Sequence, residues 1–292
     1  SQHLGMGSDL FQNSDIAEKY YSEANQILGF DIAQISFNGP VDALTITSNT
    51  QPAIFVHSIC ALELLKGKGI QFSGVAGHSL GEFSALVAAE VLSFEDALML
   101  VKVRSSEMAK AGDIQPGSMA AIIGANREQM KQICDQDGIV VEANLNAPGQ
   151  VVISGEVNSV KAAVETAKSI GIRRAIPLNV SGAFHSPLMT PARMPLALVI
   201  DKLEFNSPIV PVYQNVSAKA ERDVEVIKNN LLKQLESPVN WQETIENMQA
   251  DGHVNFIEVG PGKVLQGLNR RIFRESNNIS LGKFEEIVNY EI

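Results

Sequence analysis

The pentapeptide Gly77-His78-Ser79-Leu80-Gly81 lies between a short apolar run, Phe72 to Ala76, and a run rich in small residues, Ser84 to Ala89. A G-x-S-x-G pattern between a predicted strand and a predicted helix indicates a nucleophile elbow, a tight turn that exposes the serine hydroxyl at the top of a sheet. We expect both glycines to leave room where strand, turn and helix crowd together, and the helix N-terminus to face negative charge forming beside Ser79. The alternative is an ordinary glycine-rich turn with a passive serine.

Composition limits the classes of function. The chain has 292 residues, 45% of them hydrophobic, which suffices for one large domain that carries a smaller one. Its 23 basic and 33 acidic side chains give a net charge of −10, which argues against nucleic acid as a partner. No apolar run approaches about 18 residues, so we expect a soluble cytoplasmic protein without a membrane partner. The first residue is Ser1 and not Met, from which we expect residues upstream of it.

Three helices are predicted around the elbow. Ser14 can cap a helix from Asp15 to about Leu28, with Gly29 as its end. A second helix is predicted to begin near Gln51-Pro52, with the proline in its first turn, and to end at Gly67. The pattern Ser93-Phe94-Glu95-Asp96 is typical of a capping box and predicts a third helix that reaches about Ala111.

Arg104 lies in the middle of the apolar stripe of this third helix, since at 100° per residue it shares a face with Ala97, Val101 and Met108. A guanidinium cannot lose its proton there, so burial demands a carboxylate or a comparable partner. An internal ion pair, or a side chain that reaches out to water, would explain it. A bidentate clamp on the carboxylate of a substrate is the other interpretation.

Between Ser118 and Leu178 the pattern changes to β-α-β-β-α-β, the order of a ferredoxin-like unit, so we predict a small inserted subdomain. Asn144 and Asn146 lie at its central hairpin. A turn-forming role accounts for both residues, and a polar lining for a cleft is the alternative.

His185 is the leading candidate for a general base. It lies in a segment of small residues before Pro187, which indicates an exposed loop at a domain junction. Each of the other histidines fits a structural or solvated role better. His78 adjoins the serine but leaves the elbow in another direction, His57 is in the middle of a helix, His3 is near the chain start and His253 precedes a strand.

The remaining chain alternates strands and helices outside the insert, which predicts a largely parallel α/β core. The run Gly260-Pro261-Gly262-Lys263 departs from the Walker spacing at Ile257 and Val264, so it predicts a strand-to-helix turn and not a phosphate loop. The sequence contains no metal-ligand cluster.

Taken together, these motifs resemble those of bacterial malonyl-CoA:acyl carrier protein transacylases, in the same order and spacing over essentially the whole chain. The motifs are Gly77 to Glu82, Arg104, Ala143 to Val152, Gly182 to Ser186 and Glu258 to Gly262. The resemblance implies an α/β-hydrolase-like large domain with a parallel sheet, formed by residues 1–116 and 183–292. It also implies a ferredoxin-like small domain at residues 117–182, with the active site in the cleft between the two.

The same resemblance implies roles for individual residues. Ser79 would be the nucleophile, His185 the general base and Gln234 the residue whose carbonyl orients the histidine. Arg104 would hold the malonyl carboxylate and the Leu80 N–H would form half of the oxyanion hole. Further pocket residues would be Gln51, Asn146 and Phe184, the last of which looks like the version of this loop that favours malonyl over bulkier groups.

One stretch departs from the family. Its members open with a strand and a Gly-Gln-Gly-Ser-Gln loop, of which only the final pair is present, as Ser1-Gln2. The missing glutamine would supply the second oxyanion N–H, and losing one such donor costs on the order of 100-fold or more in turnover. A chain that lacked these residues should be slow and short of a core strand.

The sequence therefore predicts a transferase that moves a malonyl group from malonyl-CoA to an acyl carrier protein through a malonyl-serine, with no cofactor or metal and as a monomer. Arg173 and Arg174 are candidates for contact with an acidic carrier, and solvated charge is the alternative for each. A serine hydrolase with the same elbow and a catalytically silent carrier-binding module are the rival interpretations. The hydrolase is disfavoured because Asp96, Asp113, Asp135 and Asp137 all lie in helical or turn contexts.

Overall fold

Helices supply most of the regular structure in the computed structural model, which describes residues 1–291. Within these residues the α-helices are α1 Ser8–Asn13, α2 Asp15–Leu28, α3 Ile32–Asn38, α4 Val41–Thr45, α5 Thr47–Gly67, α6 Gly81–Ala88, α7 Phe94–Ile114, α8 Arg127–Cys134, α9 Val157–Ser169, α10 Thr190–Ile200, α11 Val224–Gln234, α12 Trp241–Ala250, α13 Val264–Ile272 and α14 Phe284–Val288. One 3₁₀ turn covers Pro187–Met189. None of the helices in this range is long and apolar enough to cross a membrane.

The strands are short outside the insert. They are β1 Val75–Ala76, β2 Gly117–Ile123, β3 Val140–Ala147, β4 Gln150–Glu156, β5 Arg174–Pro177, β6 Val212–Tyr213, β7 Ala220–Glu221, β8 Asn255–Val259 and β9 Asn277–Leu281. Together with the helices they form a mixed α/β fold.

The predicted parallel core is present only in part. Strand β1 pairs with β6 in parallel and β8 pairs with β9 in parallel, but β7 runs antiparallel to β6. The two parallel pairs belong to separate sheets, and residues of both β1 and β8 line a cleft of about 810 Å³. Neighbouring strands pair at a spacing of about 4.8 Å, so strands on opposite sides of such a cleft do not form one ladder.

Residues 117–177 form the second structural unit, with the predicted element order. Its four strands make an antiparallel sheet in the order β3-β4-β2-β5. Helices α8 and α9 join this sheet in one apolar cluster that includes Ile122, Met130, Ile153 and Val164. The unit meets the main body where β3 forms a bridge from Asn144 to Val239.

Local signals fixed several helix ends as predicted. Helix α2 begins after Ser14, whose side chain accepts a hydrogen bond from Ala17 N, and ends at Gly29 in the left-handed conformation. Helix α7 begins after Ser93, whose side chain accepts from Asp96 N. These caps satisfy backbone groups that the helix itself leaves free.

Two predictions of local structure were wrong. Helix α5 begins at Thr47, so Pro52 lies inside it and not in its first turn. A contact from a distant part of the chain accompanies this start, since the Thr47 hydroxyl lies 2.8 Å from that of Ser181. Asn144 and Asn146 are strand residues of β3 and not turn residues, because the hairpin closes later, between Ala147 and Gln150.

Helix α5 is buried along most of its length and lies in the main apolar cluster with α2, α6 and α7. A helix that is apolar on all sides is stabilised at the centre of a core. Helices α6 and α7 pack against this buried helix. The elbow before α6, the first turn of α6 and the inward face of α7 supply residues of the site described next.

Candidate active site

The elbow forms as the sequence predicted, between β1 and α6, and it places Ser79 at a φ of 52°. A non-glycine residue in the left-handed region costs on the order of 1–3 kcal/mol, and it persists only where its surroundings hold it. Gly77 is required for the turn, since a Cβ there would lie 1.9 Å from the backbone of Gly81. The prediction that Gly81 is equally crowded was wrong, because a Cβ at that position has open space around it.

The side chain of Asn215 holds the strained turn through two hydrogen bonds. Its side-chain oxygen accepts a hydrogen bond from Ser79 N at 2.6 Å, and its side-chain nitrogen donates to Gly77 O at 2.6 Å. The residue is fully buried, so each of these bonds forms without competition from water. Asn215 lies two residues after the end of β6, and no sequence motif marked it in advance.

His185 meets the serine directly. Its Nε2 lies 2.8 Å from Ser79 Oγ, and its Nδ1 lies 2.8 Å from the main-chain oxygen of Gln234. A carbonyl oxygen only accepts, so Nδ1 carries the proton and the Nε2 lone pair faces the serine hydroxyl. Burial, and then the nearby Arg104 guanidinium, lower the pKa of His185 to about 3, so the ring is neutral near pH 7.

The predicted exposure of His185 was wrong. The side chain is buried, and the residue adopts a φ of 58°. Its neighbours Ala183 and Ser186 are buried as well, so the loop packs into the body. The small residues that suggested an exposed junction pack closely against α7: a Cβ at Gly112 of that helix would lie 2.4 Å from Ser181 O.

The other histidines have separate surroundings. His78 Nε2 lies 2.8 Å from Asn146 Oδ1, and its ring lies against Trp241 with centroids 5.6 Å apart. Asn146 therefore joins β3 to the elbow through His78. Burial lowers the pKa of His57 to about 4, while His253 Nδ1 lies 3.2 Å from the Ser73 hydroxyl.

Arg104 is buried, with 1% of its surface exposed, and within residues 1–291 it donates three hydrogen bonds, all to uncharged groups. Its Nη1 donates to Gln51 Oε1 at 2.6 Å, and its Nη2 donates to Ser79 Oγ at 3.0 Å and to Gln234 Oε1 at 2.9 Å. Among residues 1–291 no carboxylate oxygen lies within 4.0 Å of the guanidinium, and Nε has no partner. The internal ion pair considered from the sequence is therefore absent from this part of the chain. Burial lowers the pKa of Arg104 to about 10, and the group remains a cation at neutral pH.

Glu82 was quoted within the elbow motif but received no role, and it lies completely buried in the first turn of α6. Its oxygens accept hydrogen bonds from Gln214 Nε2 at 3.0 Å, Asn215 N at 2.8 Å and Gln234 Nε2 at 3.1 Å. Burial raises its pKa, and these donors act in the opposite direction. A lone acid in an apolar helix was the signal in the sequence.

The remaining predicted residues lie near this centre in different ways. Leu80 N, directly after the nucleophile, has no hydrogen-bond acceptor within residues 1–291. Gln51 touches Arg104, and its Nε2 lies 3.6 Å from Met108 Sδ. Phe184 is partly buried against both the main core and the small-unit cluster around Met119.

The structure thus brings Ser79, His185, Arg104, Gln51 and Gln234 into one hydrogen-bonded group, with Asn146 connected through His78. The group contains a nucleophile, a neutral base and a fixed cation within about 3 Å of the serine oxygen, which suits attack on an acyl group that carries negative charge. No set of three or more His, Cys, Asp or Glu side chains in residues 1–291 is placed to hold a metal ion.

Comparison of the sequence with known proteins finds similarity to acyl transferases. A family model described as the acyl transferase domain matches residues 1–287. The malonyl CoA-acyl carrier protein transacylase of Bacillus subtilis (strain 168) is 44% identical over 291 residues, covering 98% of this chain and 92% of that protein. The protein of the same name from Staphylococcus aureus (strain MW2) is 43% identical over 291 residues, covering 98% of this chain and 94% of that protein.

Solved structures that are similar to this chain belong to proteins of the same kind. The crystal structure of acyl-carrier-protein-S-malonyltransferase from Bartonella henselae superimposes with a TM-score of 0.95 at 39% identity, covering 99% of this chain and 94% of that chain. A malonyl-transacylase solved in complex with its type II PKS acyl-carrier protein superimposes with a TM-score of 0.94 at 39% identity, covering 98% of this chain and 94% of that chain.

Proposed function

The chain belongs to the acyl transferase domain family, and on that premise we propose that it transfers a malonyl group from malonyl-CoA to the phosphopantetheine thiol of an acyl carrier protein. It is an enzyme of the malonyl CoA-acyl carrier protein transacylase type. The observation that carries the proposal is the position of Arg104, a buried cation without a carboxylate partner in residues 1–291, 3.0 Å from the Ser79 hydroxyl.

In the first half-reaction His185 Nε2 removes the Ser79 proton while Ser79 Oγ attacks the thioester carbonyl. The separation of 2.8 Å is within direct reach for proton transfer. The tetrahedral intermediate then collapses, the bond from carbon to sulfur breaks, and coenzyme A leaves with the proton that His185 held. The product is a malonyl ester on Ser79.

The negative charge on the carbonyl oxygen needs donors during this step. Leu80 N is the candidate within the described chain, because it follows the nucleophile and lies at the N-terminus of α6, where backbone N–H groups face outward. A glutamine N–H of the family's N-terminal loop is the second donor implied by the resemblance.

Arg104 selects the substrate in this proposal. A malonyl ester on Ser79 carries its free carboxylate only two carbon atoms beyond the ester carbonyl, and Arg104 Nη2 already lies beside the serine oxygen. Gln51 holds the opposite side of the guanidinium, so the planar fork is oriented before the substrate arrives. An acetyl group would leave this buried cation unpaired, which disfavours it.

The second half-reaction repeats the chemistry with a different nucleophile. His185 takes the proton of the phosphopantetheine thiol, the sulfur attacks the ester carbonyl, and Ser79 recovers its proton as it leaves. His185 has a carbonyl and not a carboxylate at Nδ1, which distinguishes this centre from the Ser-His-Asp triad of hydrolases.

The decisive experiment is an intact-mass measurement after mixing with malonyl-CoA. We expect a gain of one malonyl group in the wild-type chain, none in Ser79→Ala and an unchanged gain in the control Ser84→Ala, whose serine lies on the same helix α6. Addition of a carrier with a free phosphopantetheine thiol should then remove the group from the enzyme and place it on the carrier.

The two rival functions give different outcomes. A hydrolase would lose the malonyl group to water faster than the thiol captures it, with free malonate as the product. A silent carrier-binding module would gain no mass. Either result would replace the transferase proposal.

Finer features belong to the same proposal. We assign an α/β-hydrolase-like large domain to residues 1–116 and 183–292 and a ferredoxin-like domain to residues 117–182, supported by the strand order β3-β4-β2-β5. We place the protein in the cytoplasm and expect no cofactor, since the steps above use only side chains of the chain and its two substrates. Arg173 and Arg174 are exposed and remain the proposed contacts to an acidic carrier, and Phe184 the proposed limit on acyl size.

A further inference from the structure

Glu82 lies three residues after the nucleophile, on the buried side of the elbow, and takes no direct part in the steps above. Its side chain is 1% exposed, although burying an unpaired carboxylate is among the most costly events in folding. Within residues 1–291 its oxygens accept hydrogen bonds from three N–H donors, Gln214 Nε2, Asn215 N and Gln234 Nε2. A protonated carboxyl would point its own hydrogen at one of these donors, so this arrangement fits the carboxylate.

The side chain of Gln234 lies between this carboxylate and the Arg104 guanidinium. Its amide nitrogen donates to Glu82 Oε2 at 3.1 Å, and its amide oxygen accepts from Arg104 Nη2 at 2.9 Å. The amide dipole therefore has its positive end on the anion and its negative end on the cation, and the reverse orientation would oppose both charges. The same nitrogen also donates to Ser79 O at 3.1 Å.

Two further bonds connect this arrangement to the reacting atoms. The main-chain oxygen of Gln234 holds His185 Nδ1, and Asn215, whose N–H binds Glu82, holds Ser79 N through its side chain. Glu82 thus contacts both residues that fix the nucleophile and the base.

We propose that Glu82 is a positioning residue and the counter-anion of Arg104, acting across the amide of Gln234. A direct ion pair would already give the guanidinium a carboxylate partner, whereas a carboxylate placed one amide away balances its charge and leaves it without a directly bound carboxylate in residues 1–291, so that a substrate carboxylate can take that place. The part of this inference that concerns acyl transfer rests on the proposed function, while the charge balance itself does not.

A stability cycle tests the charge balance without any assay of activity. The unfolding midpoint in urea is measured for the wild type, Glu82→Gln, Arg104→Met and the double variant, with Glu95→Gln as the control for a lost carboxylate on an exposed helix turn. Removing one partner leaves a buried charge unbalanced, and removing both does not. We therefore expect Glu82→Gln to lower the midpoint less in the Arg104→Met background than in the wild type, and Glu95→Gln to have little effect.

If Glu82→Gln lowered the urea midpoint equally in the wild type and in Arg104→Met, the counter-anion role would be overturned. If Glu82→Gln alone does not fold, the double variant decides: a folded double variant supports the coupling and an unfolded one contradicts it. These outcomes stand even if the wild-type chain gains no malonyl group, a result that would remove the proposed function alone.

Kinetics test the positioning role. Loss of hydrogen bonds to a charged group should slow malonylation of Ser79 at saturating malonyl-CoA by about 10- to 100-fold in Glu82→Gln. The KM for malonyl-CoA should fall relative to that for acetyl-CoA, because the guanidinium loses its balancing anion and attracts the substrate carboxylate more strongly. A partly unfolded variant would lower the rate with an unchanged KM ratio, and an unchanged ratio would contradict the proposal.

Discussion

The Arg104 guanidinium donates a hydrogen bond to the hydroxyl oxygen of Ser79 over 3.0 Å, so a fixed positive charge adjoins the nucleophile before any substrate is present. Helix α7 supplies the arginine and the elbow supplies the serine, and Gln51 on α5 orients the fork between them. In the proposed function, the acyl group that Ser79 accepts would therefore meet this positive charge at the place where it is bound.

The first prediction concerns this selection. Arg104→Ala should slow malonylation of Ser79 by about 100-fold or more, because a buried charge-assisted contact to the substrate is lost. It should also raise the use of acetyl-CoA relative to malonyl-CoA. Intact-mass measurement at successive times after mixing with equal amounts of the two thioesters gives the rate of malonylation and the ratio of acetylated to malonylated protein. The control is Arg193→Ala, which removes an exposed arginine paired with Glu236; unchanged selectivity in Arg104→Ala would reject the clamp.

The second prediction concerns the acid limb of the pH–rate profile, that is, how the rate of Ser79 malonylation changes as the pH falls below 7. The pKa of His185 is lowered to about 3, first by burial and then by Arg104, so the base stays neutral as the pH falls through 6.5. The rate constant for Ser79 malonylation should be nearly constant from pH 8 to about 5. In Arg104→Ala one cause of the lowered pKa is gone, so the acid limb should move to higher pH. Rapid-quench rates across this range measure both effects, and a wild-type midpoint near 6.5 would contradict the assignment.

The third prediction separates the two glycines of the elbow. Gly77→Ala should destabilise the fold by about 3 kcal/mol or more and prevent acylation, since its Cβ would overlap the Gly81 backbone and the turn would have to shift. Gly81→Ala should be neutral or stabilising by about 0.5 kcal/mol, because the position is helical and open. Urea unfolding and acylation of both variants provide the comparison. Equal damage from the two substitutions would show that the crowding is not specific to Gly77.

The fourth prediction concerns stability in acid. Burial lowers the pKa of His57 to about 4, and its Nδ1 has no partner in residues 1–291. Below pH 6.5 the unfolded chain takes up a proton at this residue while the folded chain does not. The contribution of neutral His57 to the free energy of unfolding is therefore fully present above pH 6.5 and decreases as the pH falls toward 4. The loss from this residue is about 3 kcal/mol over that range. In His57→Gln the decline of the free energy of unfolding between pH 6.5 and 4 should be smaller than in the wild type, and an equal decline would exclude His57 as a cause.

Local signals in the sequence were enough for much of the framework. The serine cap at residue 14 and the left-handed glycine at 29 mark α2 at both ends, and the side-chain cap of Ser93 marks the start of α7, because caps act within one turn of the backbone. The pattern between Ser118 and Leu178 likewise predicted the β-α-β-β-α-β order that the structure contains. The start of helix α5 was predicted less accurately. Its first residue, Thr47, contacts Ser181, which lies 134 residues further along the chain and is invisible to a local pattern.

The sequence by itself determined the elbow and the unusual place of Arg104, because a five-residue pattern and a helical period are properties of neighbouring residues. Only the tertiary structure decided what surrounds Ser79. It buried His185 where an exposed loop was expected, fixed its tautomer through Gln234, and brought Asn215 and Glu82 beneath the turn. These groups come from distant segments, so their meeting depends on how the layers pack, and hydrogen bonds that are weak in water become decisive once water is excluded.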